Sequence, residues 1–164
     1  MLLRLVCDLK YVLRYKIRLI SAITITVIAG ILSLASCRGI TVAWYFLKRP
    51  PFTVPLLLLI VLHVAASALF GLLWCCVSFT SRKGCDRHFR CALAFAVYLF
   101  WLPLAIMSRL SFLSVLSVVA SIFCLVTAVW GLRRVRLLTA CVVVALLVLM
   151  TYFVYISLGA TVGI

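Results

Sequence analysis

The charged residues divide this chain into long apolar stretches. Between them lie five runs without Lys, Arg, Asp or Glu: 19–37, 50–81, 91–108, 110–132 and 137–164. A helix needs roughly 20 apolar residues to cross a bilayer, so each run is long enough to form one span. No run alternates with the period of a strand, and the prolines move the start of the second helix to about Pro55.

We therefore predict an all-α membrane protein, a single bundle of five transmembrane helices over residues 19–164. The predicted spans are about 19–37, 55–80, 91–108, 110–132 and 137–158. The chain is 68% hydrophobic and has a mean hydropathy of +1.38. A soluble domain of this size could not bury so many apolar side chains. The first span is full length, lacks a small-residue cleavage site and is followed by four others, so it is not read as a cleaved signal peptide.

The basic residues are unevenly distributed between the two ends of the predicted spans. Twelve of the 16 Lys and Arg residues lie in the N-terminal segment and in the loops after the second and fourth spans, whereas four lie in the first and third loops. By the positive-inside rule, the N-terminus is cytoplasmic, and the first loop and the C-terminus are external. The orientation of the chain in the membrane therefore accounts for the net charge of +14. Nucleic acid is not expected as a partner.

Residues 1–18 form a basic segment with apolar residues on one helical face. These are Leu2, Leu5, Val6, Leu9 and Leu13. Such a helix lies on anionic lipid, or it serves only to fix the topology, and the sequence leaves both open.

The scarcity of acidic residues excludes several classes of function. The chain has no Glu, and Asp8 and Asp86 lie outside the predicted spans. Paired-carboxylate catalysis, proton relays through buried acids and carboxylate cation sites are therefore not expected. No nucleophile motif is present, and the residues from Cys85 to Cys91 do not have the spacing of a zinc site. We predict no catalytic residues and no metal site of this kind.

One polar residue stands out inside a predicted span: His63, about two turns into the second helix. Such residues usually face the bundle interior or a cavity. Either it is a neutral imidazole bonded to a neighbouring Ser or Thr, or it contacts a ligand.

Small residues at helical spacing predict where the helices pack closely. The first span carries Ala22, Thr26 and Gly30, the second Ser67 and Gly71, and the fourth Ser114, Ser117 and Ser121. We expect these residues to lie at contacts between helices.

The aromatic residues gather in the first loop, the third span and the end of the fifth. They include Trp44, Tyr45 and Phe52, then Tyr98, Phe100 and Trp101, then Tyr152, Phe153 and Tyr155. They form a belt at the membrane interface, or some of them line one cavity suited to a flat apolar ligand, and both interpretations stay open here.

The first loop, WYFLKRPPFTVP, resembles the motif of the TspO/translocator protein family, the tryptophan-rich sensory and peripheral benzodiazepine receptor-like proteins. The positions that carry the resemblance are Trp44, Tyr45, Leu47, Arg49, Pro50, Phe52, Thr53 and Pro55. The third span is similar to the family's N-x-x-W-x-P, with Tyr98 in place of Asn and Trp101 and Pro103 matching. The chain departs from the family at Ser117, Val142 and Leu146, and His63 stands where bacterial members usually have Trp.

The resemblance implies an apolar pocket inside the five-helix bundle, closed by the first loop. Family members bind porphyrins such as protoporphyrin IX, and some bacterial members promote light-dependent porphyrin breakdown, attributed to pocket tryptophans. Since His63 replaces such a tryptophan, at most weak breakdown is expected of this chain. The ligand-binding residues it implies are Trp44, Tyr45, Lys48, Arg49, Phe52, His63, Tyr98, Trp101, Tyr152 and Tyr155. Lys48 and Arg49 pair with porphyrin propionates or with lipid phosphates, and His63 is a candidate axial ligand of haem iron.

We predict a membrane protein that binds or senses porphyrin-like or other flat apolar ligands. The alternatives are a small transporter of lipophilic molecules and an accessory subunit of another membrane protein. No obligatory cofactor is expected, and protoporphyrin IX or haem is the expected ligand. The expected partner is the lipid bilayer of a bacterial cytoplasmic membrane, or of an organelle, and homodimer formation is left open.

Overall fold

The computed structural model describes Cys7 and residues 15–37, 53–78, 84–106, 111–130 and 136–162. The helices within these ranges are α1 Lys16–Ser36, α2 Leu56–Ser78, α3 Gly84–Leu99, α4 Trp101–Ile106, α5 Ser111–Val129 and α6 Arg136–Val162. No described residue lies in a strand. The prediction of an all-α fold is confirmed. Of the basic segment 1–18, only Cys7 and residues 15–18 fall inside the described ranges.

Five helical segments are long and apolar enough to cross a membrane. They are Lys16–Ser36, Leu56–Val77, Asp86–Ala105, Phe112–Val129 and Leu137–Gly159. Each coincides with a predicted span, so the chain is an integral membrane protein. The largest difference is at the third span, whose helix begins at Gly84 rather than at residue 91. Asp86 in its first turn favours this early start, because a carboxylate there interacts well with the helix dipole.

The third span bends where α3 passes into α4. Pro103 has no backbone N–H, so the carbonyl of Leu99, four residues earlier, loses its helical partner. The Ser33 hydroxyl of α1 donates to that carbonyl at 2.7 Å. At the same place, the amide of Phe100 donates to the carbonyl of Val97, three residues earlier, at 3.3 Å. This makes a tighter turn than that of an α-helix, in which the amide bonds four residues back. The bend is thus stabilised from a different helix.

The contact between α1 and α2 depends on residues without bulky side chains. A Cβ atom on Gly71 would lie 2.7 Å from the Cα of Ile23 and 2.9 Å from the carbonyl oxygen of Ala22. A Cβ atom on Gly30 would lie 2.9 Å from the Cβ of Ser67. All three distances are too short for real atoms, so the two backbones approach as closely as glycine allows. The predicted small-residue contacts of the first two spans are confirmed.

The serines of the fourth span also lie at helix contacts. Ser121 donates to the carbonyl of Ala94 in α3 at 2.6 Å, and the hydroxyls of Ser114 and Ser157 in α6 lie 2.7 Å apart. Ser117 is buried but bonds within its own helix, to the carbonyl of Ser114 at 2.8 Å. The serines of α5 therefore join it to α3 and to α6.

The core lies between α2, the bent third span, α5 and α6. The helix α2 contacts α1, α3 and α6, and α5 contacts α3, α4 and α6. By contrast, α1 packs chiefly on α2 and is the least buried span. Its isoleucines at positions 17, 20, 25, 28 and 31 are exposed, as expected of a helix face in contact with lipid.

Candidate functional site

His63 lies at the centre of a hydrogen-bonded cluster inside the bundle. Its Nδ1 atom lies 3.2 Å from Nε1 of Trp101 and 2.9 Å from the hydroxyl oxygen of Tyr98. All three side chains are fully buried. His63 comes from α2, and the other two come from either side of the bend between α3 and α4. The structure therefore brings together three of the predicted ligand-binding residues.

These hydrogen bonds define the protonation of the imidazole. An indole N–H can only donate, so Nδ1 of His63 must present its lone pair to Trp101. The Tyr98 hydroxyl must then donate to the same nitrogen. It follows that the neutral ring carries its proton on Nε2. The sequence left a neighbouring Ser or Thr as one candidate partner of the ring, and the structure has Tyr98 and Trp101 there instead.

The other ring nitrogen, Nε2, has no hydrogen-bond partner among the described residues. It points towards α1, where a Cβ atom on Gly30 would lie 3.9 Å away. The hydroxyl of Ser67, also on this side, donates to the carbonyl of His63 at 3.0 Å. The Nε2 side of the ring therefore faces the backbone of Gly30, at the contact between α1 and α2.

A row of aromatic rings leads from His63 to the far end of α6. Trp101 stacks on Phe153 with ring centres 4.4 Å apart and planes 17° apart. Phe153 lies 6.4 Å from Tyr152, which lies 6.4 Å from Tyr155. We call these five residues the aromatic row. It connects the buried cluster to Tyr155, which is 38% exposed.

Phe153, Phe70 and Phe95 belong to this region but were not among the predicted site residues. Phe70 lies 5.2 Å from Tyr98 and 5.3 Å from Phe95, measured between ring centres. Phe70 follows His63 by seven residues, or about two helical turns. From this spacing one could have predicted that Phe70 lies on the same face of α2 as His63. Between α2, α3 and α6, these rings therefore pack against one another and against Tyr98.

The end of the first loop is joined to the last helix. The backbone N–H of Val54 donates to the hydroxyl oxygen of Tyr152 at 2.9 Å. Val54 directly precedes Pro55 and the start of α2, so this bond attaches the chain leaving the first loop to the aromatic row. Tyr152 is half-buried at this position.

A shallow, open groove lies on the outer face of α6, from Val144 to Tyr155. Its lining residues are Val144, Leu147, Val148, Thr151, Tyr152 and Tyr155. The Thr151 hydroxyl donates to the carbonyl of Leu147 at 2.8 Å, within its own helix. The groove therefore presents an almost entirely apolar wall, with the two tyrosine rings at one end. All six residues come from this one helix and four of them are exposed, so the groove lies on the surface of the bundle that faces lipid.

The predicted residues of the first loop cannot be placed. Trp44, Tyr45, Lys48, Arg49 and Phe52 lie outside the described residues, and their roles stay predictions. Of the predicted set, His63, Tyr98 and Trp101 therefore form the buried cluster, and Tyr152 and Tyr155 form the opposite end of the aromatic row.

The geometry of His63 does not fit the role of an axial haem ligand. Such a ligand needs a nitrogen lone pair directed at the iron. The lone pair on Nδ1 accepts from Trp101 and Tyr98, and Nε2 carries the proton. In the ranges that the structure covers, no group of three or more His, Cys, Asp or Glu residues is arranged to hold a metal ion.

Comparison of the chain with family models, with curated proteins and with solved structures gives no match. The resemblance to the TspO/translocator family thus depends on the sequence motifs alone.

Proposed function

We propose that this protein binds a flat apolar ligand of the porphyrin class within the membrane, as the resemblance to the TspO/translocator family implies. The ligand would lie beside the aromatic row, at the end of the bundle where α2 begins and α6 ends. The single observation that carries this proposal is the hydrogen bond from the Val54 amide to Tyr152. It joins the loop that contains the family motif to the helix that contains the predicted tyrosines.

The chemistry of this region supports the proposal. The exposed ring of Tyr155, the half-buried ring of Tyr152 and the apolar groove beside them favour a flat hydrophobic ring, because they can cover its face without leaving polar groups unpaired. Lys48 and Arg49 are basic residues of the first loop, and we propose that they pair with the ligand's carboxylates.

Binding is favoured over transport by the way the third span is broken. Transporters use broken helices to expose backbone groups to a substrate near the middle of the membrane. Here the carbonyl of Leu99, freed by Pro103, is already bonded to Ser33. The broken helix therefore offers no free acceptor at this position.

We also propose that the N-terminus is cytoplasmic and the C-terminus external, in a bacterial cytoplasmic membrane or an organelle membrane. The asymmetry of the basic residues supports this orientation. A reporter protein that folds only outside the cytoplasm should be active when fused after Ile164 and inactive when fused before Met1. The reverse pattern would overturn the orientation.

The binding proposal is tested by titrating the purified protein in detergent with protoporphyrin IX, following the Soret absorbance. We expect saturable binding with a Kd of about micromolar order, weakened by Trp101→Ala and Tyr152→Ala. The matched control is Phe123→Ala, since Phe123 is exposed on α5, away from the aromatic row. A linear, non-saturable signal that no variant alters would reject the proposal and favour the accessory-subunit alternative.

A further inference from the structure

Helices α1, α3 and α6 all begin at the end of the bundle where α2 ends, because α2 runs antiparallel to each of them. The contacts that show this are Ile23 with Gly71 and Gly30 with Ser67 for α1, His63 with Trp101 and Phe70 with Phe95 for α3, and Val54 with Tyr152 for α6. The charged residues of the described ranges all lie in the first two turns of these three helices, and they are Lys16, Arg18, Asp86, Arg87, Arg90 and Arg136. Among the described residues, this end of the bundle therefore carries five basic residues and one acid.

Two of these basic residues, Arg87 and Arg90, lie one turn apart on the same side of α3. Side chains three residues apart on a helix are neighbours, with Cβ atoms roughly 5–6 Å apart, and like charges at such a spacing repel each other. Asp86 lies four residues before Arg90 and can balance only one of the two charges. Arg90 is exposed and Arg87 is half-buried, so both reach the surface. The pair therefore presents an excess of positive charge there.

The two arginines lie at the depth of the lipid headgroups. The third membrane-spanning segment begins at Asp86, and long basic side chains near the end of a span extend to the interface. Beside the arginines, Phe89 is 66% exposed and Leu93 is 39% exposed. Leu93 lies roughly 4.5 Å deeper than Arg90 along the helix axis. This surface of α3 therefore offers positive charge at the headgroup level and apolar contacts beside and below it.

We propose that Arg87 and Arg90 bind the phosphate of an anionic phospholipid, whose acyl chain lies along Phe89 and Leu93. A guanidinium binds a phosphate through two parallel N–H···O bonds, and a phosphate between two arginines also offsets their repulsion. A zwitterionic lipid binds less well, because its positive headgroup lies close to the same arginines. The inference does not depend on porphyrin binding, since none of these residues belongs to the aromatic row.

The test is a competition between two lipids with the same acyl chains. Phosphatidylglycerol is anionic, whereas phosphatidylcholine carries the same phosphate without a net charge. The purified full chain is mixed in detergent micelles with equal amounts of both, and the lipid that stays bound is counted by native mass spectrometry. We expect wild type to bind phosphatidylglycerol about tenfold more tightly than phosphatidylcholine.

The variants assign this preference to the two arginines of α3. Arg87→Gln and Arg90→Gln should each lower it to about twofold. Arg87→Lys keeps the charge but loses the paired N–H donors, so it should retain part of the preference. Arg18→Gln is the matched control, because it removes the same charge at the same end of the bundle, from an exposed residue of α1. It should keep the preference of wild type.

Three results would overturn the inference. The first is a wild type that binds both lipids equally. The second is an equal loss of the preference in Arg18→Gln and in the two α3 variants, which would show that the whole basic end attracts anionic lipid without a defined site. The third uses inorganic phosphate as the competitor. If it displaces phosphatidylglycerol at low millimolar concentration, the arginines recognise phosphate alone and the assignment to a lipid fails.

Discussion

The indole N–H of Trp101 donates to Nδ1 of His63 at 3.2 Å, joining the bent third span to the second. This one bond determines which nitrogen of His63 carries a proton, because indole has no acceptor to offer in return. It also orients Trp101 against Phe153 of α6, whose ring centre is 4.4 Å away. Three spans thus meet at the ring of Trp101.

Replacing Trp101 with Phe should therefore destabilise the bundle. The variant loses the hydrogen bond to His63 and part of the stacking on Phe153, which together contribute about 1–2 kcal/mol. The measurement is reversible unfolding in mixed micelles. Trp130→Phe is the control, because Trp130 is 78% exposed. Equal stability of the two variants would show that the bond to His63 contributes nothing measurable.

The second prediction concerns the contact of α1 with α2. A methyl group on Gly71 would overlap the backbone of Ile23 and Ala22, which cannot move as a flexible side chain can. We expect Gly71→Ala to cost about 1–3 kcal/mol, the usual penalty of overpacking. Val119→Ile adds one methylene to an exposed position on α5 and should have little effect. Unfolding in the same micelles measures the stability of both variants. If Gly71→Ala is as stable as wild type, α1 and α2 are not packed this closely.

The third prediction tests the bond between Ser33 and the carbonyl of Leu99. Ser33→Ala leaves that carbonyl without its donor and should cost about 1 kcal/mol. In a Pro103→Ala background the new amide at position 103 can donate to the same carbonyl, so Ser33→Ala should then cost less. A double-mutant cycle measures this difference. If the two substitutions are additive, the hydroxyl of Ser33 does not compensate for the proline.

The fourth prediction concerns the attachment of the first loop to α6. Tyr152→Ala removes the acceptor of the Val54 amide, so hydrogen exchange at Val54 should become about tenfold faster, in keeping with a lost bond of about 1.4 kcal/mol. The affinity for protoporphyrin IX should fall in parallel. Thr151→Val serves as the control, since the Thr151 hydroxyl bonds within its own helix. Faster exchange without weaker binding would separate this hydrogen bond from the ligand site.

Much of the architecture follows from local features of the sequence. The spans are marked by the charges between them, since a charge is costly in the apolar bilayer core. The contacts at Gly30, Ser67 and Gly71 follow from small residues at helical spacing. Both signals are contained within single helices, which is why they could be recognised without knowledge of how the helices pack.

The surroundings of His63 could not be predicted in the same way. Its partners Tyr98 and Trp101 lie 35 and 38 residues later in the chain, and only the packing of α2 against the bent third span brings them together. The donor for Leu99 was equally hidden, because Ser33 lies 66 residues away. Proline predicts that a carbonyl loses its helical partner, but not which helix supplies another.

The central claim, that a porphyrin binds beside the aromatic row, is tested most directly by the fluorescence of single tryptophans. The chain has four, so one variant retains only Trp101 and a second retains Trp101 and Trp130, with the others replaced by Phe. The difference between the two variants gives the signal of Trp130. The binding proposal predicts that protoporphyrin IX quenches Trp101 saturably, at a stoichiometry of one, while Trp130 is quenched only in proportion to the porphyrin dissolved in the micelle. Identical, non-saturable quenching of both tryptophans would contradict it.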